Sequence, residues 1–341
     1  MRVTIKDVAK KANVSVATVS LVIHDHQRIS PETKRRVLKA IKDLDYYPSR
    51  SARGLVSRQT KNIGFIITED HFLRTEPFYT KIFLGTEFEA RLSEYYILLT
   101  TIPTDYKPTD PLPRFVLEGN VDGVIIAGKI PDSIINRLKQ FKLPIIFVDY
   151  YPPEGDFSAV LIDNVTGGLQ ATEHLISCGH KKIGFIGGDI DHPSIRDRFQ
   201  GYKTALEKNK IIYNPSYAVT NELGTNRECG YNAAKKLLSQ NNDITSIFIC
   251  NDAMALGAMQ YLKSQNKIIP DDISIIGFDD VEAGLISEPN LTTMRVPKIE
   301  LGAKTMNLMA QYLENKVTDP YKLLMPVELV LRKSTCPGKN N

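Results

Sequence analysis

Cysteine is scarce in this 341-residue sequence. Its four cysteines, Cys178, Cys229, Cys250 and Cys336, form no CxxC pair. That argues against a disulfide framework or a structural zinc site, and it suits a reducing compartment. Long hydrophobic runs are missing as well. No apolar stretch approaches bilayer-spanning length, and the opening MRVTIKDVAKK has no hydrophobic h-region. The expectation is a cytoplasmic protein with no membrane partner. There, the Asn-x-Ser/Thr matches at Asn13, Asn164 and Asn290 carry no glycan meaning. No catalytic set is visible. His24 and His26 sit together in a loop, the other four histidines are isolated in sequence, and no HxxxH or HExxH occurs. Gly184 to Gly188 is not a GxGxxG fingerprint and no GxxxxGK(S/T) is present, so nucleotide binding is a poor fit. The expectation is no enzyme, no cofactor and no metal.

What is present is a globular composition, 42% apolar and 24% charged, with an uneven charge distribution. The length implies two or three domains. Residues 1–60 hold 13 Lys and Arg against 5 Asp and Glu, a balance of +8. The remainder holds 30 basic and 34 acidic residues. A basic head on a mildly acidic body is the footprint of a polyanion-binding module joined to something else.

The head reads as helices. Thr4 caps the first, with Asp7 three residues on, and Ile5, Val8, Ala9 and Ala12 recur at helical spacing. Asn13 tolerates the left-handed conformation of a tight turn. Ser15 caps the second helix, which buries Val19, Val22 and Ile23. Ser30-Pro31-Glu32 opens a third, burying Val37, Leu38, Ile41 and Leu44. Ala9, Asn13 and Val19 have the small, turn, apolar spacing of a helix-turn-helix. The second helix then enters the major groove.

VTIKDVAKKANVSVATVS, then ISPETKRRVLKAIKDLDYYPSRSARGLVSRQT, resembles the N-terminal domain of LacI-type (lactose/galactose repressor) transcription regulators. The resemblance implies base reading by Val16, Ala17 and Leu21. Leu21 is apolar, so thymine methyl contacts and DNA shape carry the readout. Ser15, Thr18 and Ser20 are the expected backbone contacts, and Thr4 is a further expected DNA-binding residue. In SARGLVSR it implies a hinge helix that folds in the minor groove, Leu55 wedging between base steps with Arg50 and Arg53 near the backbone. Ser49 replaces the family's usual Asn. The expected operator is a double-stranded pseudo-palindrome of about 14–18 base pairs, bound by a homodimer.

From residue 62 short apolar strands alternate with amphipathic helices: 62–67, 95–101, 121–128 and 143–150, then 182–188, 217–222, 246–252 and 273–280. Helices are expected over 78–94, 167–177, 198–209 and 254–264. Continuous apolar strands separated by helices predict parallel sheets covered on both faces, in two similar lobes. Asp149, Asp189, Asn251-Asp252 and Asp279-Asp280 lie at the carboxyl ends of strands, where open α/β sheets bind ligands. Carboxylates and amides, the planar Arg198 donor and the flat faces of Phe78 and Tyr79 suit a sugar. The competing reading is helix capping, which is expected of Asp252 and weighs equally for Asp189 and Asp280.

The body also resembles the effector domain shared with periplasmic sugar-binding proteins, through PFYTKIFLGTEFEA, DNVTGGLQATEHLISCGHKKIGFIGG, RFQGYKTAL, CNDAMALGAMQYL and IPDDISIIGFDD. By motif the ligand residues are Phe78, Tyr79, Asp149, Asp163, Arg198, Asn251 and Asp279. The whole is expected to be a small all-α helix-turn-helix domain (1–46), a hinge (47–60), and a two-lobed α/β periplasmic-binding-protein-like domain with parallel sheets (61–333), followed by a tail (334–341). Lobe one takes 61–159 with 293–322, and lobe two takes 160–292 with 323–333. No leucine heptad follows Arg332, so the tetramer-forming helix of some relatives is not expected. The function expected is a ligand-controlled transcription regulator, a repressor. The rivals are a cytoplasmic sugar-binding protein and a carbohydrate-active enzyme. A phosphoprotein co-regulator, used by some relatives, is left open.

Overall fold

The computed structural model describes residues 3–23, 29–44, 46, 59–72, 77–153 and 155–335. Its contacts divide the chain into two units, Met1–Thr60 and Lys61–Asn341. None of the described helices is long and apolar enough to cross a membrane.

The first unit holds α1 (Ile5–Ala12), α2 (Val16–Ile23) and α3 (Pro31–Asp43). The Thr4 amide and hydroxyl both donate to the Asp7 carboxylate, at 2.8 and 2.7 Å, so the acid closes the first turn of α1. Asn13 ends that helix at φ 52°, in the left-handed region. Ser15 accepts from the Thr18 amide at 3.1 Å, and Ser30 from the Thr33 amide at 3.3 Å. Val8, Ala9, Ala12, Val19, Val22, Val37, Ala40 and Tyr46 form the core. Leu38, expected inside, is 48% exposed. It follows Val37 by one residue, 100° round the helix, and only Val37 faces the other two helices.

The second unit is built on two six-stranded sheets. Strands β1 (Asn62–Thr68), β2 (Tyr96–Ile102), β3 (Gly123–Ala127), β4 (Ile145–Val148) and β5 (Ser158–Ile162) join β11 (Lys322–Met325) in the order β11-β5-β4-β3-β1-β2, all parallel. Strands β6 (Ile183–Ile186), β7 (Ala218–Val219), β8 (Ser246–Ile249), β9 (Ser274–Asp279), β10 (Thr292–Arg295) and β12 (Glu328–Val330) run in the order β12-β10-β9-β8-β6-β7, with β12 alone antiparallel. Three pairs of longer helices cover the sheets: α4 (Phe78–Leu92) against α9 (Lys298–Leu313), α5 (Asn164–Ser177) against α6 (Pro193–Lys208), and α7 (Arg227–Gln240) against α8 (Asp252–Ser264).

The chain leaves each sheet later than expected. Residue 160 was to be a crossing, yet Val160 lies inside β5, paired to Val148 and Leu323. β10 belongs wholly to the second sheet and β11 wholly to the first. The crossings therefore fall after Ile162, after Arg295 and after Met325, three residues past each expected limit, because these short strands stay whole instead of being cut. The tail also starts later. Ser334, expected within it, is fully buried, donates its hydroxyl to the Ile275 carbonyl and accepts from the Thr292 amide.

Candidate functional site

On the first unit, α2 turns Val19 and Val22 into the core and leaves Val16, Ala17 and Leu21 outward, with Val16 41% and Leu21 37% exposed. Ala17 and Leu21 lie one turn apart on one helix face, and Val16 precedes Ala17 at the start of the helix. An exposed apolar strip on an eight-residue helix is costly in water and fits the methyl-rich edge of a major groove. Ser15 and Thr18 share a hydroxyl contact of 2.9 Å at the N-terminus of α2, and Ser20 is half-buried. The Thr4 hydroxyl is committed as a donor to Asp7. Arg50, Arg53 and Leu55 lie outside the described residues, as does the segment around His24 and His26.

On the second unit, both sheets present the carboxyl ends of their strands to one cleft, a cavity of about 640 Å³. Thr68 ends β1, Lys129 follows β3, Asp149 follows β4, Asp189 follows β6, Cys250 and Asn251 follow β8, and Asp279 ends β9; all line the cavity. Each sheet changes winding direction here, at β1/β3 and at β6/β8, and it is there that open α/β sheets leave a crevice.

Asp149 is buried with φ 58°, a left-handed turn that swings its carboxylate into the cleft. It accepts from the Tyr79 hydroxyl at 2.9 Å and lies 3.5 Å from the Ser194 hydroxyl of the other lobe. Burial pushes its carboxyl up to about 6, against the pull of Arg198 and Tyr79. Arg198 lies on α6. Its Nε donates to Asn164 at 2.8 Å, its Nη1 to the Cys250 carbonyl at 2.5 Å, and Nη1 stands 3.6 Å from the Asp279 carboxylate. The guanidinium also lies over the Phe278 ring at 3.7 Å. Among the described residues Nη2 makes no hydrogen bond. Phe78 and Tyr79 open α4 with their rings edge to face at 5.0 Å, and His71 stacks on Tyr79. Thr68 is buried, and its hydroxyl has no hydrogen-bond partner among the described residues.

Six of the seven residues taken from the motifs thus meet in one cavity. The seventh, Asp163, is outside it and caps α5 through the Thr166 amide at 3.1 Å. Asn251 lines the cavity, but it is also the cap of α8, accepting from Met254 at 2.9 Å and donating to the Thr225 carbonyl at 3.0 Å. Asp252 was the expected cap. It is instead fully buried, accepting from the Thr293 hydroxyl at 2.6 Å and the Val281 amide at 2.9 Å, with its carboxyl raised to about 8 by burial and by Asp279. Asp280 is turned away from the cleft by Arg295 and Arg332, which hold its carboxyl low against the opposing effect of burial. Asp189 reaches across to Lys129 of the first lobe at 3.5 Å. Thr68, His71, Lys129, Ser194 and Thr225 also line the cavity and were not foreseen. The strand-end rule that found Asp149 applies equally to Thr68 and Lys129; restricting it to acids and amides missed them.

A family model described as "Bacterial regulatory proteins, lacI family" matches residues 4–49, and one described as "Periplasmic binding protein-like domain" matches residues 172–335. The HTH-type transcriptional repressor PurR of Haemophilus influenzae is 34% identical over 336 residues, 97% of this chain and 98% of that protein. The chain belongs to the lacI family of bacterial regulatory proteins. Its lacI-family relatives include the ribose operon repressor of the same species, 32% identical over 97% of this chain and 98% of the relative. A solved lac repressor dimer, bound to operator and the anti-inducer ONPF, superposes with a TM-score of 0.80 at 25% identity, over 98% of this chain and all of that one. As a lacI-family member the chain is a DNA-binding transcriptional repressor controlled by a small ligand, and these relatives are regulators, not enzymes.

Proposed function

We propose that this repressor acts as a cytoplasmic homodimer on a pseudo-palindromic operator, with an uncharged sugar as its effector and no reaction catalysed. The observation that carries the sugar reading is the meeting of Asp149 from one lobe with Arg198 and Asp279 from the other, beside the buried Thr68 hydroxyl, which has no hydrogen-bond partner among the described residues. Carboxylate acceptors and a guanidinium donor suit vicinal hydroxyls, and Phe78 supplies an apolar wall for a ring face. A ligand hydroxyl satisfies Thr68, which otherwise carries the cost of a buried polar group without a bond. The acids Asp70, Asp149, Asp189 and Asp279 outnumber Lys129 and Arg198 in the lining, which disfavours an anionic effector. Val16, Ala17 and Leu21 of α2 are the base-reading residues, with Ser15, Thr18 and Ser20 as the phosphate contacts; the Thr4 hydroxyl, which donates to Asp7, is not a donor to a phosphate. Arg50, Arg53 and Leu55 complete the interface in the hinge.

Removing residues 1–60 tests the division of labour. The full chain binds an operator of about 14–18 base pairs with steep salt dependence. The truncated chain loses that binding and keeps sugar binding, read as a thermal shift. Equal operator binding by both forms overturns the reading.

A further inference from the structure

The geometry points to a second sugar-ring subsite beside the main cavity, so that the effector is a disaccharide. This rests on the sugar reading of the cleft. A second cavity of about 320 Å³ shares Lys129, Ile130 and Pro131 with the first. It is lined further by Tyr150, Tyr151 and Asp132 of lobe one and by Asp191, Pro193 and Arg196 of lobe two. Small-molecule pockets span about 300–1,000 Å³, so the second chamber on its own has room for one more ring.

The lining has the chemistry of a saccharide site. Tyr150 is buried and fixed edge to face on Phe147 at 6.1 Å, and its ring lies 6.0 Å from that of His192, a residue of the main chamber. Tyr151 is half-buried, and the Lys322 ammonium sits 4.3 Å from its ring centroid. Tyrosine and proline give flat apolar walls for the C–H faces of a sugar ring. Asp132 and Asp191 are acceptors, and Lys129 and Arg196 are donors. Their charges balance, which fits a neutral ring and not a phosphate. Neither Arg196 nor Asp191 spends its side chain on a hydrogen bond among the described residues. Lys129 stands at the border of the chambers and already pairs with Asp189 across the lobes. A ligand spanning both chambers therefore touches the same two lobes twice and favours their closed arrangement, because it gains those contacts only there.

Titration calorimetry on the full chain with glucose, galactose, ribose, cellobiose, maltose, lactose and glucose 6-phosphate tests this. At least one disaccharide is expected to bind about tenfold or more tighter than its own monosaccharides. Tyr151→Ala and the exposed Arg196→Ala each remove most of that advantage, while monosaccharide affinity stays within about twofold. Arg198→Ala weakens both ligand sizes. Monosaccharides binding as tightly as every disaccharide overturns the second subsite and leaves the sugar reading standing. The second subsite is overturned as well if Tyr151→Ala and Arg196→Ala weaken both sizes equally, or if the phosphorylated sugar binds best. Heats of binding for none of the seven overturn the sugar reading itself.

Discussion

Asp252 and Asp149 place two raised carboxyls within one small region, at about 8 and about 6 against a usual 3.8. Where the folded state holds a proton that the unfolded state has released, stability falls as pH rises. For Asp252 that window runs from about pH 4 to about pH 8, and for Asp149 from about pH 4 to about pH 6. Below both windows neither group contributes, and above pH 8 the whole penalty is present. Asp252→Asn mimics the protonated acid, with the Thr293 hydroxyl free to turn round. Thermal melts from pH 5 to 9 are expected to show a smaller loss of stability between pH 6 and 8 for this variant than for the native chain. Asp252→Ala, in contrast, strands the Thr293 hydroxyl and the Val281 amide, at about 1–3 kcal/mol each, at every pH. An unchanged slope in Asp252→Asn refutes the assignment. At this scale the sequence was legible wherever a residue type follows a strand: Asp149, Asp279 and Asn251 were found in this way. It was not legible for Asp252 and Asp280, whose partners Thr293, Arg295 and Arg332 lie 15 to 52 residues away.

Each of the three helix pairs is brought into backbone contact by one glycine on each helix. A Cβ on Gly85 would overlap the Ile299 carbonyl, and one on Gly302 the Ile82 carbonyl. Gly168 and Gly201 stand in the same relation across α5 and α6, as do Gly230 and Gly257 across α7 and α8. Gly201 explains the RFQGY motif physically. It lets α6 lie against the Val165 carbonyl, while Tyr202 is buried and donates to the Ile183 carbonyl at 2.8 Å. Arg198 sits one turn earlier on the same helix, so its reach to Asn164 depends on that approach. Gly201→Ala should cost about 1–3 kcal/mol in denaturant unfolding, the usual range for overpacking. It should also weaken sugar binding more than Gly257→Ala, which acts on a helix pair that does not carry Arg198. Equal binding losses would break the link. The helices were visible by period, but their starts were placed late: α5 begins at Asn164 and not 167, and α6 at Pro193 and not 198. Pro193 at the first helical position was the available signal. Four strands went unread: β10, β11 and β12 because three or four residues, some polar and some exposed, give no apolar run, and β5 because its middle was taken as a crossing between lobes.

At the scale of the molecule, closure and pairing are separate problems. Closure is held by contacts between lobes: Lys129 with Asp189, Lys81 with Glu282 at 2.8 Å, and the Lys298 ammonium on the Asp279 carbonyl. The first two are exposed ion pairs, each worth at most about 1 kcal/mol, weak enough for a ligand to decide the balance. Pairing needs a surface, and lobe one offers one. Leu84, Phe88 and Leu92 follow one another at i, i+4 and i+8 on the outer side of α4, with Phe88 48% and Leu92 80% exposed. Beside them β2 is the edge of its sheet and carries the exposed Tyr96 and Leu99. An apolar edge strand next to an apolar helix stripe is a liability in a monomer, and in the proposed homodimer this is the face that a second copy would cover by a symmetric contact. Phe88→Glu puts a charge at the centre of that stripe and is expected to yield a monomer in sedimentation. A single head then lacks its linked partner, so operator affinity should fall by about 10²–10⁴. Sugar binding per chain should stay within about twofold, since α4 meets the cleft only through Phe78 and Tyr79 at its far end. A variant that remains dimeric, or a monomer that holds the operator as tightly as the native chain, places the pairing surface elsewhere.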